Sequence, residues 1–459
     1  METTTRERSA RDEHSRAAQI RRAPWLLAAI LALALIVRLG LYAQEPRPYD
    51  NSGLAVEHAE LARNIDDHGR WFVVNLRALD VLGPRQRLEH RLVDPAEVNL
   101  SRADARPDYQ HVVLQPVGAG VVLAGLWKVT GDERYVYLQL LQIAIDSAMV
   151  LLVYLIALQL YRRRRTALLA ALAYAVFLPV AVIARIPHLD IWAVDFTIVM
   201  VALFVRAQTA TRPLAWLAAT GVASGLGVYF RPGVLLVPLL LALAMVPWSR
   251  WRGAWRYGLV PLLVAALLMV PWTVRNAVQF DRFIPTRVGI GQNLWEGLGE
   301  LPNDFGAKLD DQATARQVAL RRPDLRYGTP AYDAYLQHWA LTAIRDHPVF
   351  FARVVAHRLI NSTVWLRNLQ WPYGIVEPLL FIFAVAVAIV TRRRFARQHV
   401  LLAAVPVATL APYLVLHVEP RYILPGSFVY LIWAALGADL VWERLAQRRS
   451  QTEAALASS

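Results

Sequence analysis

Ten or eleven apolar stretches parted by arginine-rich turns run along this chain, and a long polar loop directly follows the first of them. Runs close to the ~20 residues needed to cross a bilayer recur at 24–43, 138–161 and 373–391, which leaves little room for a water-soluble core. Hydrophobic residues make up 56% of the sequence and charged residues 18%. The expected class is therefore all-α and polytopic, with about 10–11 transmembrane helices.

The net charge of +14 would suggest a nucleic-acid partner in a soluble protein. Here the basic residues sit in short tracts beside apolar runs, as the positive-inside bias produces, so no nucleic acid is expected. Lysine occurs only at Lys128 and Lys308. With the Ala and Leu richness, that composition looks like a GC-rich bacterial genome. The absence of cysteine excludes disulfides, thiolate metal sites and a cysteine nucleophile. The first apolar stretch lacks a small-residue cleavage site and reads as a retained span.

Spans are expected near 24–43, 138–161, 166–184, 191–206, 214–229, 232–248, 258–274, 373–391, 399–417 and 423–442. An even number puts both termini in the cytoplasm, with the basic tracts at 6–22, 162–165, 248–256, 392–397 and 444–449 on one side. The segment 112–129 is then left without a crossing. It is expected to be re-entrant or interfacial, entered through Gln115-Pro116, although an eleventh span remains open. The organisation is a cytoplasmic arm (1–23), a membrane domain (24–442) with outer loops at 44–112 and 275–372, and a partly disordered cytoplasmic tail (443–459).

Both outer loops carry readable helices. In the first, Leu54, His58, Leu61, Ala62 and Ile65 share one face, while Glu57, Glu60, Arg63, Asn64 and Asp67 surround the other. In the second, Thr329 caps a helix that opens on Pro330, with Tyr332, Tyr335, Leu336, Trp339, Ala343 and Ile344 as its apolar face. A further amphipathic stretch at 350–365 sets Arg353, His357 and Arg358 on a polar face. The Trp and Tyr residues of these loops (Trp71, Tyr109, Trp295, Tyr332, Trp339, Trp365, Trp371) suit an interfacial aromatic belt or sugar stacking.

Asp50 stands just beyond the first span, before a surface helix. A general base there would need to lie within about 3 Å of the proton it removes. Asp, Asn and Ser before a helix are also favoured caps, so the residues alone leave both roles open. Arg231, Arg275 and Arg421 fall at outer ends of spans, against the positive-inside trend, where an arginine fork suits phosphate oxygens or simply snorkels. The turn Arg185-Ile-Pro-His188-Leu-Asp190 adds a second acid, either for ligand positioning or for a structural pair with Arg185. Asp50, His188 and Asp190 offer metal donors, but without metal-motif spacing. Arg38 and Asp195, the charges noted within spans, lie toward span ends.

Five segments in order resemble the GT-C superfamily of membrane glycosyltransferases, near the protein mannosyltransferase and lipid A aminoarabinose transferase branch. They are Tyr49-Asp50 with the helix from Ala59 to Ile65; Leu114-Gln-Pro-Val-Gly with Gly131-Asp132; and the Arg231-Pro232 turn. The fourth is Val270-Pro-Trp-Thr-Val-Arg-Asn276 with Phe283-Ile-Pro285 and Gly291-Gln-Asn-Leu-Trp-Glu-Gly297, and the fifth is Arg421-Tyr-Ile-Leu-Pro425. The resemblance covers most of 24–442. It implies inverting transfer of a sugar from a polyprenyl-phosphate donor to a glycan, lipid or protein acceptor, at the outer face of the bacterial inner membrane. It implies Asp50 as base, with Arg231, Arg275 and Arg421 around the phosphate and His188 and Asp190 behind them. The family aspartate usually stands about one helical turn nearer Ala62, where this chain has Leu54, so Glu57 is the fallback base. No cofactor is certain; the resemblance leaves a divalent cation open. A lipid-linked sugar transporter or an O-antigen-polymerase-like protein is the alternative, the first calling for mid-span charges or an inverted repeat.

Overall fold

The computed structural model describes residues 24–44, 53–68, 72–74, 109–187, 189–248, 251–364 and 376–458. Asp50, His188, Trp71 and Trp365 lie outside these, as does the arm 1–23. Glu57 stands on a described helix, but its side chain is outside what is described.

Helix α1 (Pro24–Gln44) precedes α2 (Gly53–His68), the first-loop helix. Strands β1 (Phe72–Val74) and β2 (Tyr109–His111) pair antiparallel in a small ribbon, Phe72 opposite His111. Helices α3 (Gly118–Thr130), α4 (Val136–Tyr161), α5 (Arg164–Ala175), α6 (Leu178–Ala184), α7 (Leu189–Ala207) and α8 (Pro213–Val228) follow. A 3₁₀ turn at Pro232–Leu235 leads into α9 (Leu236–Met245), and α10 is Trp251–Phe280. The loop expected at 275–372 holds α11 (Ile290–Leu298), α12 (Asp311–Arg321), α13 (Pro330–Asp346) and α14 (Pro348–Val364). The chain then returns through α15 (Val376–Val415), the 3₁₀ turn Pro420–Gly426 and α16 (Ser427–Ser458).

Each expected span is occupied by helix, and the protein is an all-α, multi-pass membrane protein apart from the ribbon. Among the described residues, four helices are long and apolar enough to cross a bilayer: α1, α4, α10 and α16. A fifth joins them if α5 and α6, bent by 51° at their break, count as one span. The remaining segments are short, like α8 with 16 residues, or carry charges, as α7 does at Asp190, Asp195 and Arg206. Helix α3 has 13 residues, roughly 20 Å, which is too short for a bilayer and supports the re-entrant or interfacial reading. It starts two residues beyond Pro116 and ends on Gly131, whose φ of 68° closes the helix in the left-handed region.

Small residues set the close approaches. Any Cβ at Gly221 or Gly225 of α8 would run into Pro261, Val264, Ala265 and Leu268 of α10, as expected of helix pairs that associate by backbone proximity in lipid. The same logic docks α3: the Gly118 N–H donates to the Tyr229 carbonyl at 2.8 Å, and a Cβ there would strike Phe230. That contact fixes Gln115-Pro116 beside the Arg231 turn.

The runs expected at 373–391 and 399–417 are two helices that meet at a kink at Phe395, where the backbone leaves the helical region (φ −131°, ψ 32°). Three expectations change. The tail 451–458 continues α16 as helix, because its Gln, Glu and Ala are good helix formers. On α2, Arg63 and Asn64 are buried rather than solvated; Arg63 pairs with Glu133 at 3.0 Å and lies over Trp127. And mid-span charge is present: Asp146 sits near the middle of α4 with both oxygens engaged. Arg38 donates to one, and the Tyr174 hydroxyl to the other at 2.6 Å. Arg38 also donates to the carbonyls of Ala34 and Ala175, at 3.1 and 3.0 Å.

Candidate active site

Helices α11 to α14 build a second core around Trp295, Leu298, Tyr332 and Leu336. Helix α13 starts as the sequence indicates: Thr329 Oγ1 accepts from Tyr332 N, with Pro330 first in the helix. Its aromatic face packs on α11 instead of forming a belt; Trp339 meets Trp295 at 5.2 Å between ring centroids. The motif 291–297 is the packing code for this joint. A Cβ at Gly291 would collide with the backbone of Asp333 and Gln337, and one at Gly297 with the Leu416 carbonyl and the Arg358 guanidinium. Gly297→Ala is therefore expected to cost about 1–3 kcal/mol and to lower activity by displacing the 414–419 segment. Thermal melting and turnover check this together; an unchanged melting point would contradict it.

Arg358, expected on a solvated face, is instead fully buried. It donates to Glu300 Oε2 at 3.1 Å and to the carbonyls of Leu414 and Val415 at 2.9 and 2.7 Å. A helical pattern alone cannot reveal this, since the partners lie over fifty residues away.

The turns joining these layers enclose a cavity with about 570 Å³ of empty space, part of it open to solvent. Gln115, Asp190, Arg231, Arg287, Asn293, Tyr413, His417, Arg421 and Tyr422 contribute its polar lining. Asp190, buried at the start of α7, is its pivot: Arg231 ion-pairs with one carboxylate oxygen, and Arg421 Nε approaches the other at 3.3 Å. Arg231 Nε donates to the Tyr413 hydroxyl at 2.7 Å, and its guanidinium carbon lies 4.0 Å from the centroid of the Tyr422 ring. Arg421 is held from behind by Glu419 Oε2 at 2.8 Å. Arg287 reaches in from the 281–289 loop and donates to the Leu114 carbonyl at 3.2 Å. Burial lowers its pKa below the ordinary value, yet an arginine stays charged in a protein.

Asp190, Arg231 and Arg421 thus meet in one cavity, and Asp190 pairs with those two arginines. Arg275 does not line the cavity. It donates to the Val112 carbonyl and to Asn276 Oδ1, at 2.8 and 2.9 Å, and stacks on Trp272. Its placement ties α10 to the entry of α3. A second, mostly apolar hollow adjoins the first and shares Pro116, Pro232 and Arg287 with it; Val117, Val228, Tyr229, Met269, Trp272, Pro285 and Thr286 line the remainder. Among the described residues, no group of three or more acidic or histidine side chains is arranged to hold a metal ion.

Sequence reasoning missed Arg287, Tyr413, His417, Glu419 and Glu300. Glu300 and His417 are 117 residues apart, so no local pattern joins them. The signals that existed were Arg287, one more arginine in the loop expected at 275–372, and the run His417 to Tyr422 with four ionisable groups.

Comparison with known proteins agrees with this architecture. The chain is similar to GT-C membrane glycosyltransferases, in sequence over residues 123–284 and in fold over most of its length. The family model described as dolichyl-phosphate-mannose-protein mannosyltransferase matches residues 123–284. The chain is 32% identical over 165 residues to an undecaprenyl phosphate-alpha-4-amino-4-deoxy-L-arabinose arabinosyl transferase of Pseudomonas paraeruginosa. That match covers 34% of this chain and only 29% of the relative. A protein of the same description from Pseudomonas fluorescens is 35% identical over 167 residues, with 33% and 28% covered. In structure, the chain is similar to the oligosaccharyltransferase of Archaeoglobus fulgidus tethered with an acceptor peptide. The TM-score is 0.56 at 15% identity, over 94% of this chain and 51% of the other. That likeness is one of fold.

Proposed function

We propose that this protein is an inverting glycosyltransferase that moves a sugar from a polyprenyl-phosphate donor to a lipid, polysaccharide or protein acceptor. Its proposed setting is the bacterial inner membrane, with both termini cytoplasmic and the cavity at the outer face. The observation that carries the reading is that Arg231, Arg287 and Arg421 line one cavity, two of them paired with a buried carboxylate, beside an apolar hollow. A lipid phosphate needs both halves: guanidinium forks for its oxygens and a greasy channel for its tail. The names of the Pseudomonas relatives specify undecaprenyl phosphate and an amino-arabinose; for this chain we propose an undecaprenyl-type carrier and leave the sugar open.

The chemistry follows from charge development. As the glycosidic bond to phosphate breaks, negative charge grows on the leaving oxygens, and pre-aimed cations stabilise it without reorganisation. Asp190 serves as the aiming device, because two arginines held on one buried acid cannot collapse elsewhere. That engagement makes it a poor base, so the acceptor proton is assigned to Asp50, three residues before α2. Helix α2 packs on α3, whose entry residues Gln115 and Pro116 line the cavity, which favours a first-loop acid over a distant one.

Asp50→Asn should reduce transfer by about 10²–10⁴-fold while leaving expression and melting unchanged. The assay is transfer from a purified undecaprenyl-phosphate sugar in detergent or nanodiscs. Retained activity would move the role to Glu57. Mass spectrometry of surface glycans from a deletion strain would identify sugar and acceptor class together.

A further inference from the structure

A line of alternating charges leads outward from the cavity. Arg421 is held by Glu419, whose other oxygen, Oε1, faces His417 Nε2 at 3.1 Å and accepts from the Tyr422 hydroxyl at 3.3 Å. The opposite imidazole nitrogen, Nδ1, faces Glu300 Oε1 at 3.2 Å. Glu300 also accepts from Val418 N at 3.3 Å and from Arg358 at 3.1 Å. Both ring nitrogens of His417 therefore meet carboxylate oxygens. Neutral imidazole has one donor and one acceptor nitrogen, so it would turn a lone pair on one of the two acids. Only the imidazolium satisfies both.

The surroundings agree. Besides Glu300 and Glu419, Tyr422 packs edge-on at 5.7 Å, with Arg358 and Arg421 behind the two acids, Arg231 and Tyr413 packed on Tyr422, and Arg287 lining the same cavity. Burial by itself disfavours the charged ring, but the two carboxylates outweigh it and raise His417 above its ordinary 6.5. Burial would likewise raise Glu419, yet the His417 hydrogen bond and the charges of Arg421, His417 and Arg231 bring it down to about 2.

We propose that His417 is a positioning residue: clasped as an imidazolium between Glu300 and Glu419, it holds Glu419 in the place that aims Arg421 at the lipid phosphate. The inference rests on the reading of the cavity as a polyprenyl-phosphate site. A neutral ring releases one acid, and Glu419 then competes for Arg421 against the phosphate. The sign follows from the raised folded-state value. The clasp is complete at and below ordinary histidine pH and is lost as pH rises through the raised titration.

The test is binding of undecaprenyl phosphate to the full chain in nanodiscs across a pH series, for wild type, His417→Gln and Glu300→Gln. The ligand's own titration is common to all three, so the ratio of affinities is the readout. Wild type should bind roughly tenfold more tightly than His417→Gln at the acidic end, with the ratio falling toward one at the alkaline end. Glu300→Gln removes one acid, so its loss of affinity should come at lower pH than in wild type. That second shift stands even if His417→Gln folds poorly. A ratio of one throughout, or one that ignores pH, would overturn the positioning role while leaving the lipid-phosphate site intact. Failure of wild type to bind at any pH would overturn that site and this inference with it.

Discussion

Arg231→Ala should lower kcat/KM for sugar transfer by about 10²–10³-fold, the usual cost of removing one pre-aimed charge stabiliser in an active site. Three contacts are lost at once: the ion pair with Asp190, the bond to the Tyr413 hydroxyl, and the stack on Tyr422. Arg231→Lys should recover little, because a point charge cannot reproduce a fork that bonds an acid and a phenol while lying on a ring. Asp190→Asn should act more on Arg231 and Arg421 together than either alone, since the two cations lose the acid that holds them both. Steady-state kinetics of the single and double variants would show this as non-additivity. Additive losses would mean that the arginines act independently, and the account of Asp190 would be wrong.

The second large effect is expected at residues that do not line the cavity. Breaking the Arg38–Asp146 pair by Asp146→Leu leaves a fully buried guanidinium without its acid, which costs about 3–5 kcal/mol. Thermal melting in nanodiscs should fall sharply. The double variant Arg38→Met with Asp146→Leu should regain most of the loss, because no charge then remains to be solvated. Asp195 offers the opposite case. It is a second buried acid whose carboxyl lies against that of Asp146, so the two acids must share a hydrogen bond. Asp195→Asn, which supplies an amide donor, should be neutral or stabilising. These groups satisfy one another across α1, α4, α5 and α7, and the cavity is lined by other residues. The cluster therefore reads as a structural clasp and does not revive the transporter alternative.

Much of the fold was legible because bilayer physics writes itself into the sequence. Apolar runs fixed where helices lie, and Thr329-Pro330 and His347-Pro348 bounded α13. Arg231 and Arg421 stood out because positive-inside bias disfavours arginine at their positions, and they do meet at Asp190. Arg275 gave the same signal and holds the Val112 backbone instead; placement against the trend cannot tell a ligand fork from a backbone clamp. Asp146 was hidden by the opposite effect, one acid averaged away within a 26-residue apolar helix. Arg358 looked solvated because its acid comes from a loop far away in the chain. The His417 clasp joins two distant segments by charge alone, and nothing in the local pattern announces it.

The most direct measurement is a structure of the protein in nanodiscs saturated with undecaprenyl phosphate. The account predicts the phosphate among Arg231, Arg287 and Arg421, with the first isoprene units in the hollow lined by Val117, Val228, Met269 and Trp272. A headgroup bound elsewhere, with that cavity left empty at saturating lipid, would contradict it.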